Sequence, residues 1–106
     1  MMPTYRLEYH SDAVQDLVDI HNLIEDYAGR AIANRKLAEI EAATYRLEDL
    51  PKIGSIRNDF APSLRALPIA GKGVICFTVD DETLTVFIIC ISYAGSDWAS
   101  RVKERL

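Results

Sequence analysis

The chain has 106 residues, 49% hydrophobic and 26% charged, which is the composition of a globular protein and the length of a single domain, residues 1–106. Lys and Arg number 12 against 16 Asp and Glu, a formal net charge of −4; this argues against non-specific grip on nucleic acid, which depends on cations replacing the counterions of phosphates. Residues 1–50 carry 5 cations and 10 acids and residues 51–106 carry 7 and 6, so any phosphate contact would come from the second half, through Arg57, Arg65, Lys72, Arg101, Lys103 or Arg105.

Tyr5, Leu7 and Tyr9 alternate with Arg6 and Glu8, the period of a half-buried strand. The strand stops at His10-Ser11-Asp12, where Ser11 or Asp12 can cap a helix and Gln15 can complete a capping box. From Ala13 to Ala28 the apolar positions Ala13, Leu17, Ile20, Ile24, Tyr27 and Ala28 share a face, with Gln15, Asp16, Asp19, Asn22, Glu25 and Asp26 opposite. Gly29 supplies a C-terminal stop, and a second helix resumes at Arg30, with Ala33, Leu37, Ile40, Thr44 and Leu47 as its buried stripe. So short a link predicts an antiparallel helical hairpin. Leu50-Pro51 ends it, because a residue before proline is pushed out of the helical region.

Residues 51–63, rich in Pro, Gly, Ser, Asn and Asp, read as an irregular connection. Strands are expected over Leu64–Ile69, Gly73–Val79 and Thr83–Tyr93. A last helix over Ser96–Leu106, started by Ser96 or Asp97, has Trp98, Val102 and Leu106 at helical spacing. The order β-α-α-β-β-β-α predicts an α+β fold: an N-terminal strand, a helical hairpin packed on a mainly antiparallel four-stranded sheet, and a short C-terminal helix.

The longest strand is apolar on both sides. Strict alternation puts Phe87, Ile89, Ile91 and Tyr93 on one face and Leu84, Val86, Ile88 and Cys90 on the other, and both need cover. The hairpin can cover one face and the short last helix only part of the other, leaving a candidate docking surface. Folding the hairpin about Asp80–Glu82 places Cys76 opposite about residue 86 and Cys90 about 13 Å further along, which predicts two reduced core thiols. No apolar run reaches the ~18 residues of a membrane span, and the N-terminus lacks a secretion signal; a cytoplasmic protein with no membrane partner is expected.

The opening strand into His10-Ser11-Asp12-Ala13-Val14-Gln15-Asp16-Leu17 with Ile20, then Leu47, Leu50-Pro51 and Gly54, then Leu64-Arg65, and the ending Ile91-Ser92-Tyr93-Ala94-Gly95-Ser96-Asp97-Trp98 follow one another in an order that resembles the ParE/RelE superfamily of type II toxin–antitoxin toxins, the ParE branch most closely. The resemblance spans nearly the whole chain. It implies a toxin silenced by a cognate ParD-like antitoxin in a hetero-oligomer, with DNA gyrase as the target of ParE-like members and ribosome-dependent mRNA cleavage as the activity of RelE-like ones. The family often has His at the end of the last strand followed by basic residues. Here Tyr93 and Ala94-Gly95-Ser96 stand in their place, which weakens a phosphate-binding role for that loop.

Cleavage of RNA through its 2′-OH needs a base, an acid and cations at the phosphate. The residues available for an endonuclease are Arg65, Tyr93 and Arg101, with Lys72 as a further cation. Arg65 and Arg101 read equally as ion-pair partners and Tyr93 as packing, so a non-enzymatic gyrase inhibitor is the expected activity. An mRNA endonuclease and a non-toxic antitoxin-binding module are the alternatives. Trp98 and Arg101 are candidate target contacts, and Phe87, Ile89, Ile91 and Tyr93 candidate antitoxin contacts. His10 and His21 belong to no ligand cluster, so no metal is expected. Gly71-Lys72-Gly73 lacks the context of a phosphate loop and reads as a hairpin turn, so no cofactor is expected either.

Overall fold

The computed structural model describes residues 3–69, 71–95 and 97–106. The opening alternation forms β1 (Arg6–Tyr9), with Leu7 and Tyr9 turned toward the core and Arg6 and Glu8 exposed. Helices α1 (Ser11–Ala28) and α2 (Arg30–Arg46) follow, joined by Gly29 alone. The cap of α1 is His10 rather than Ser11 or Asp12: its Nδ1 accepts the Asp12 amide at 3.0 Å. Gln15 bonds the Asp19 carboxylate instead of closing a capping box.

The sheet has five strands, not four. Within the segment expected to be irregular, Ser55–Ile56 forms β2 and pairs antiparallel with β3 (Arg65–Ile69). Gly54 makes that pairing possible. Its φ is +84°, and a Cβ there would stand 2.7 Å from the Ala66 carbonyl oxygen, so only glycine lets the two backbones approach. β4 (Gly73–Asp80) and β5 (Thr85–Tyr93) complete the antiparallel meander, and β1 joins the far side of β5 in parallel, giving the order β1-β5-β4-β3-β2. The last helix, α3, runs from Trp98 to Arg105 under an Asp97 cap whose carboxylate accepts the Ser100 amide at 3.2 Å. Ser96, the other expected start, lies outside the described residues.

Strict alternation along β5 fails at one place. Phe77 pairs with Ile88 and Cys76 with Cys90, so Ile89 is an extra residue in a bulge. Val86, Ile88, Ile91 and Tyr93 therefore pack with the hairpin, whereas Phe87, Ile89 and Cys90 pack with α3 and residues 60–64. The expected single face of Phe87, Ile89, Ile91 and Tyr93 is split between the two cores. The bulge also corrects the cysteine geometry. The turn occupies residues 81–84, later than assumed, and with the extra residue it sets Cys76 directly opposite Cys90; both are buried, free thiols.

Candidate functional site

Asp16 falls on the face of α1 that its residue type assigns to water, yet it is 3% exposed. The cause lies on β5. The β1–β5 pairing ends at Tyr9 opposite Ile88, so beyond Ile88 the outer edge of β5 has no strand to bond. Unpaired backbone groups in such a place are costly, and side chains take them. The Asp16 carboxylate accepts the Ile91 amide at 2.9 Å, the Ile89 carbonyl accepts Arg105 at 2.9 Å, and the Ile91 carbonyl accepts Arg101 at 3.3 Å.

The two arginines close on the same acid. Arg105 bonds both Asp16 oxygens, at 2.7 and 2.9 Å, and Arg101 makes a short bond to Oδ1. Arg101 and Arg105 stand one turn apart on α3, which is why both reach one carboxylate. Burial works against the Asp16 charge, but the bonds from Arg105, the Ile91 amide and Arg101 outweigh it and hold the carboxyl below its ordinary range. The same bond to Asp16 holds the Arg105 guanidinium above its ordinary value. The cluster ties α1, β5 and α3 together, and composition could not reveal it, because Asp16 and its partners lie 85 and 89 residues apart. Two arginines at i and i+4 on the last helix were the available signal.

Of the residues expected to serve an endonuclease, Tyr93 and Arg101 are brought together and Arg65 is held apart from them. Tyr93 and Arg101 border one cleft of about 280 Å³ beside Asp16 and Leu23. Arg65 borders another, of about 240 Å³, with Lys52, Asn58, Ser63 and Asp81, where its guanidinium donates to the Lys52 carbonyl at 3.0 Å. Lys52 in turn bonds Asp81 at 2.8 Å, and Asp81 accepts the Tyr5 hydroxyl at 2.6 Å. Tyr93 is buried, and its hydrogen bond with Tyr27, helped by burial, raises its phenol above the ordinary value. Among the described residues no group of three His, Cys, Asp or Glu could hold a metal ion, and no helix is long and apolar enough to cross a membrane.

Trp98 is half-buried at the start of α3, edge-on to Phe60 with ring centroids 5.0 Å apart. The Arg57 guanidinium lies 4.5 Å from the Phe60 ring centre and 5.4 Å from that of Trp98, a cation–aromatic stack that anchors the 57–64 segment to α3. Ile89 and Ile91 are completely buried within the chain and Tyr93 nearly so. Phe87 alone of the four expected antitoxin contacts is partly open, near the His10 ring.

An exposed apolar surface lies elsewhere, on the outside of the hairpin. Val14, Val18 and Tyr45 are 50%, 48% and 62% exposed. They border two hollows that share Leu17 and Glu41. One, of about 500 Å³, runs between α1 and α2 past His21, Asn34 and Leu37; the other, of about 260 Å³, extends it to Tyr9 and Tyr45. A hydrogen bond between His21 and Asn34 at 2.8 Å bridges the helices. Glu41 is the acid that lines both hollows.

A family model described as the ParE toxin of the type II toxin–antitoxin system parDE matches residues 7–98. Among solved structures, one titled as the chromosomal ParDE toxin–antitoxin system from P. aeruginosa superposes with a TM-score of 0.74 at 19% identity, covering 87% of this chain and 98% of that one. A mutant of the E. coli toxin RelE in the free state gives 0.64 at 15% identity, covering 97% and 98%. The toxin–antitoxin complex RelBE2 from Mycobacterium tuberculosis gives 0.62 at 19% identity, covering 89% and 95%. A search of curated proteins finds no match.

Proposed function

The chain belongs to the ParE toxin family of type II toxin–antitoxin systems, and from that premise we propose that it arrests growth by binding DNA gyrase, without catalytic residues of its own, until a ParD-like antitoxin covers it. The observation that carries this reading is the dispersal of the endonuclease candidates. Cleavage through a 2′-OH requires a base, an acid and a cation within reach of one phosphate. Arg65 opens onto a different cleft from Tyr93 and Arg101. Tyr93 is buried and has a raised phenol, the wrong direction for a base, and Arg101 is bonded to a carboxylate that offsets its charge. The net charge of −4 further disfavours docking among ribosomal phosphates.

The antitoxin surface in this reading is the α1–α2 groove. Its outward valines and Tyr45 lack cover among the described residues, which suits the apolar face of an amphipathic segment, with Glu41 placed to meet a basic side chain of it. Purified protein, assayed for gyrase supercoiling and for trapped cleavage complexes, tests the activity. Loss of supercoiling with accumulation of cleaved DNA is expected. No effect at stoichiometric excess over gyrase would overturn the claim, and discrete ribosome-dependent cuts in mRNA would transfer it to the endonuclease reading.

A further inference from the structure

We propose that Cys76 and Cys90 form a dithiol–disulfide pair, oxidised by a low-molecular-weight disulfide. The two residues are directly opposed across the antiparallel β4–β5 pair, beside the Ile89 bulge, and both project into the core beneath α3. Directly opposed residues have Cβ atoms about 4.5–5.5 Å apart, and a disulfide takes about 3.5–4.5 Å. Closing the bond therefore asks for a local shift of the order of an ångström, which a bulged strand can accommodate.

Access comes from the roof. The pair lies beneath Leu64, Ala61 and Val102, and Val102 is the one buried residue of the eight-residue α3. A helix of two turns has no stability by itself, so its release from Asp16 is a local opening that lifts Val102 off the thiols without global unfolding, and the oxidant enters where the helix has lifted.

The chemistry balances. One of the two thiolates attacks one sulfur of the oxidant, forming a mixed disulfide and releasing a small thiolate. The other cysteine gives its proton to that thiolate, attacks the protein sulfur of the mixed disulfide and expels the second small thiolate. The protein loses two hydrogens, and the oxidant leaves as two thiols.

The folded chain, incubated with oxidised glutathione and followed by intact mass and peptide mapping, decides the matter. The expected product lacks two hydrogens, contains a Cys76–Cys90 linked peptide pair and reverts with dithiothreitol. Cys76→Ser and Cys90→Ser are each expected to give no product that lacks two hydrogens. The wild-type result stands even if a serine variant fails to fold. Oxidation only after denaturation, or glutathionylation that never resolves to the internal disulfide, would overturn the proposal.

Discussion

The two faces of the sheet are covered by different means. On one, α1 and α2, 18 and 17 residues long, lay down Ala13, Ile20, Ile24, Ala33 and Ile40 against Val86, Ile88 and Ile91. On the other, α3 has 8 residues, fully buries only Val102 and packs a half-buried Trp98 against Phe60, beside the 60–64 segment; Val102 contributes about 1.5–3 kcal/mol. That cannot hold a helix too short to persist alone. The deficit is made up by charge, through Arg101 and Arg105 on the buried carboxylate of Asp16. The hairpin, by contrast, has apolar residues to spare: Val14 and Val18 face outward. The contrast teaches where regulation can act. The α3 side depends on one polar cluster and is the side that can open, while the hairpin side is stable and offers surface to a partner.

The largest effect should come from breaking the cluster. Asp16→Ala removes the partner of an Arg105 side chain that is only 11% exposed and leaves the Ile91 amide without an acceptor. Truncating one member of a buried ion pair costs about 3–5 kcal/mol, and urea unfolding should show a loss of that size against wild type. Hydrogen exchange should show α3 losing protection before the hairpin does. A loss below about 1 kcal/mol, the range of exposed pairs, would mean that α3 is held by packing and that the contrast between the faces is false.

Acid should sharpen the same distinction with a smaller effect. The folded Asp16 carboxyl lies below its ordinary range, through the bonds that overcome its burial. Its contribution is therefore complete above the unfolded carboxylate value of about 3.9 and is lost as pH falls through the lower folded value. Wild-type stability should decline over that acidic window with part of the slope absent from Asp16→Asn. If the two proteins decline in parallel, Asp16 is not what acid reaches.

Much of this architecture was legible because periodicity reports local burial. The alternation of Tyr5, Leu7 and Tyr9 and the stripes of the hairpin announced their elements, and Asp97 announced the cap of α3. Three features were hidden for a common reason. The β2 pairing rests on how closely Gly54 approaches Ala66. The split of Ile89 from Ile91 rests on one bulged residue in β5, and with it the facing of Cys76 and Cys90. The burial of Asp16 rests on where β1 stops. Each is set by register between strands or by a partner remote in sequence, and neither leaves a local period. The same rule applies to the surface: helical spacing is enough to put Trp98 and Arg101 on the last helix, whereas the outward apolar residues of the hairpin leave no such signal because they interrupt a stripe instead of forming one.

The smallest effect on folding should fall on those residues, and it discriminates best between the two faces. Val14→Glu and Val18→Glu alter side chains about half exposed on α1, where substitutions usually change stability by no more than about 0.5 kcal/mol. In the antitoxin complex each would set a carboxylate against an apolar segment, so affinity should fall tenfold or more, about 1.4 kcal/mol. Titration of each variant with the cognate antitoxin, beside a urea melt, reads both quantities. Unchanged affinity in both variants would remove the hairpin groove as the antitoxin surface. Phe87→Ser, on the partly open part of the α3 face, is the matched control: if it weakens the complex while the valine variants do not, the partner sits on the side of the sheet held by ions.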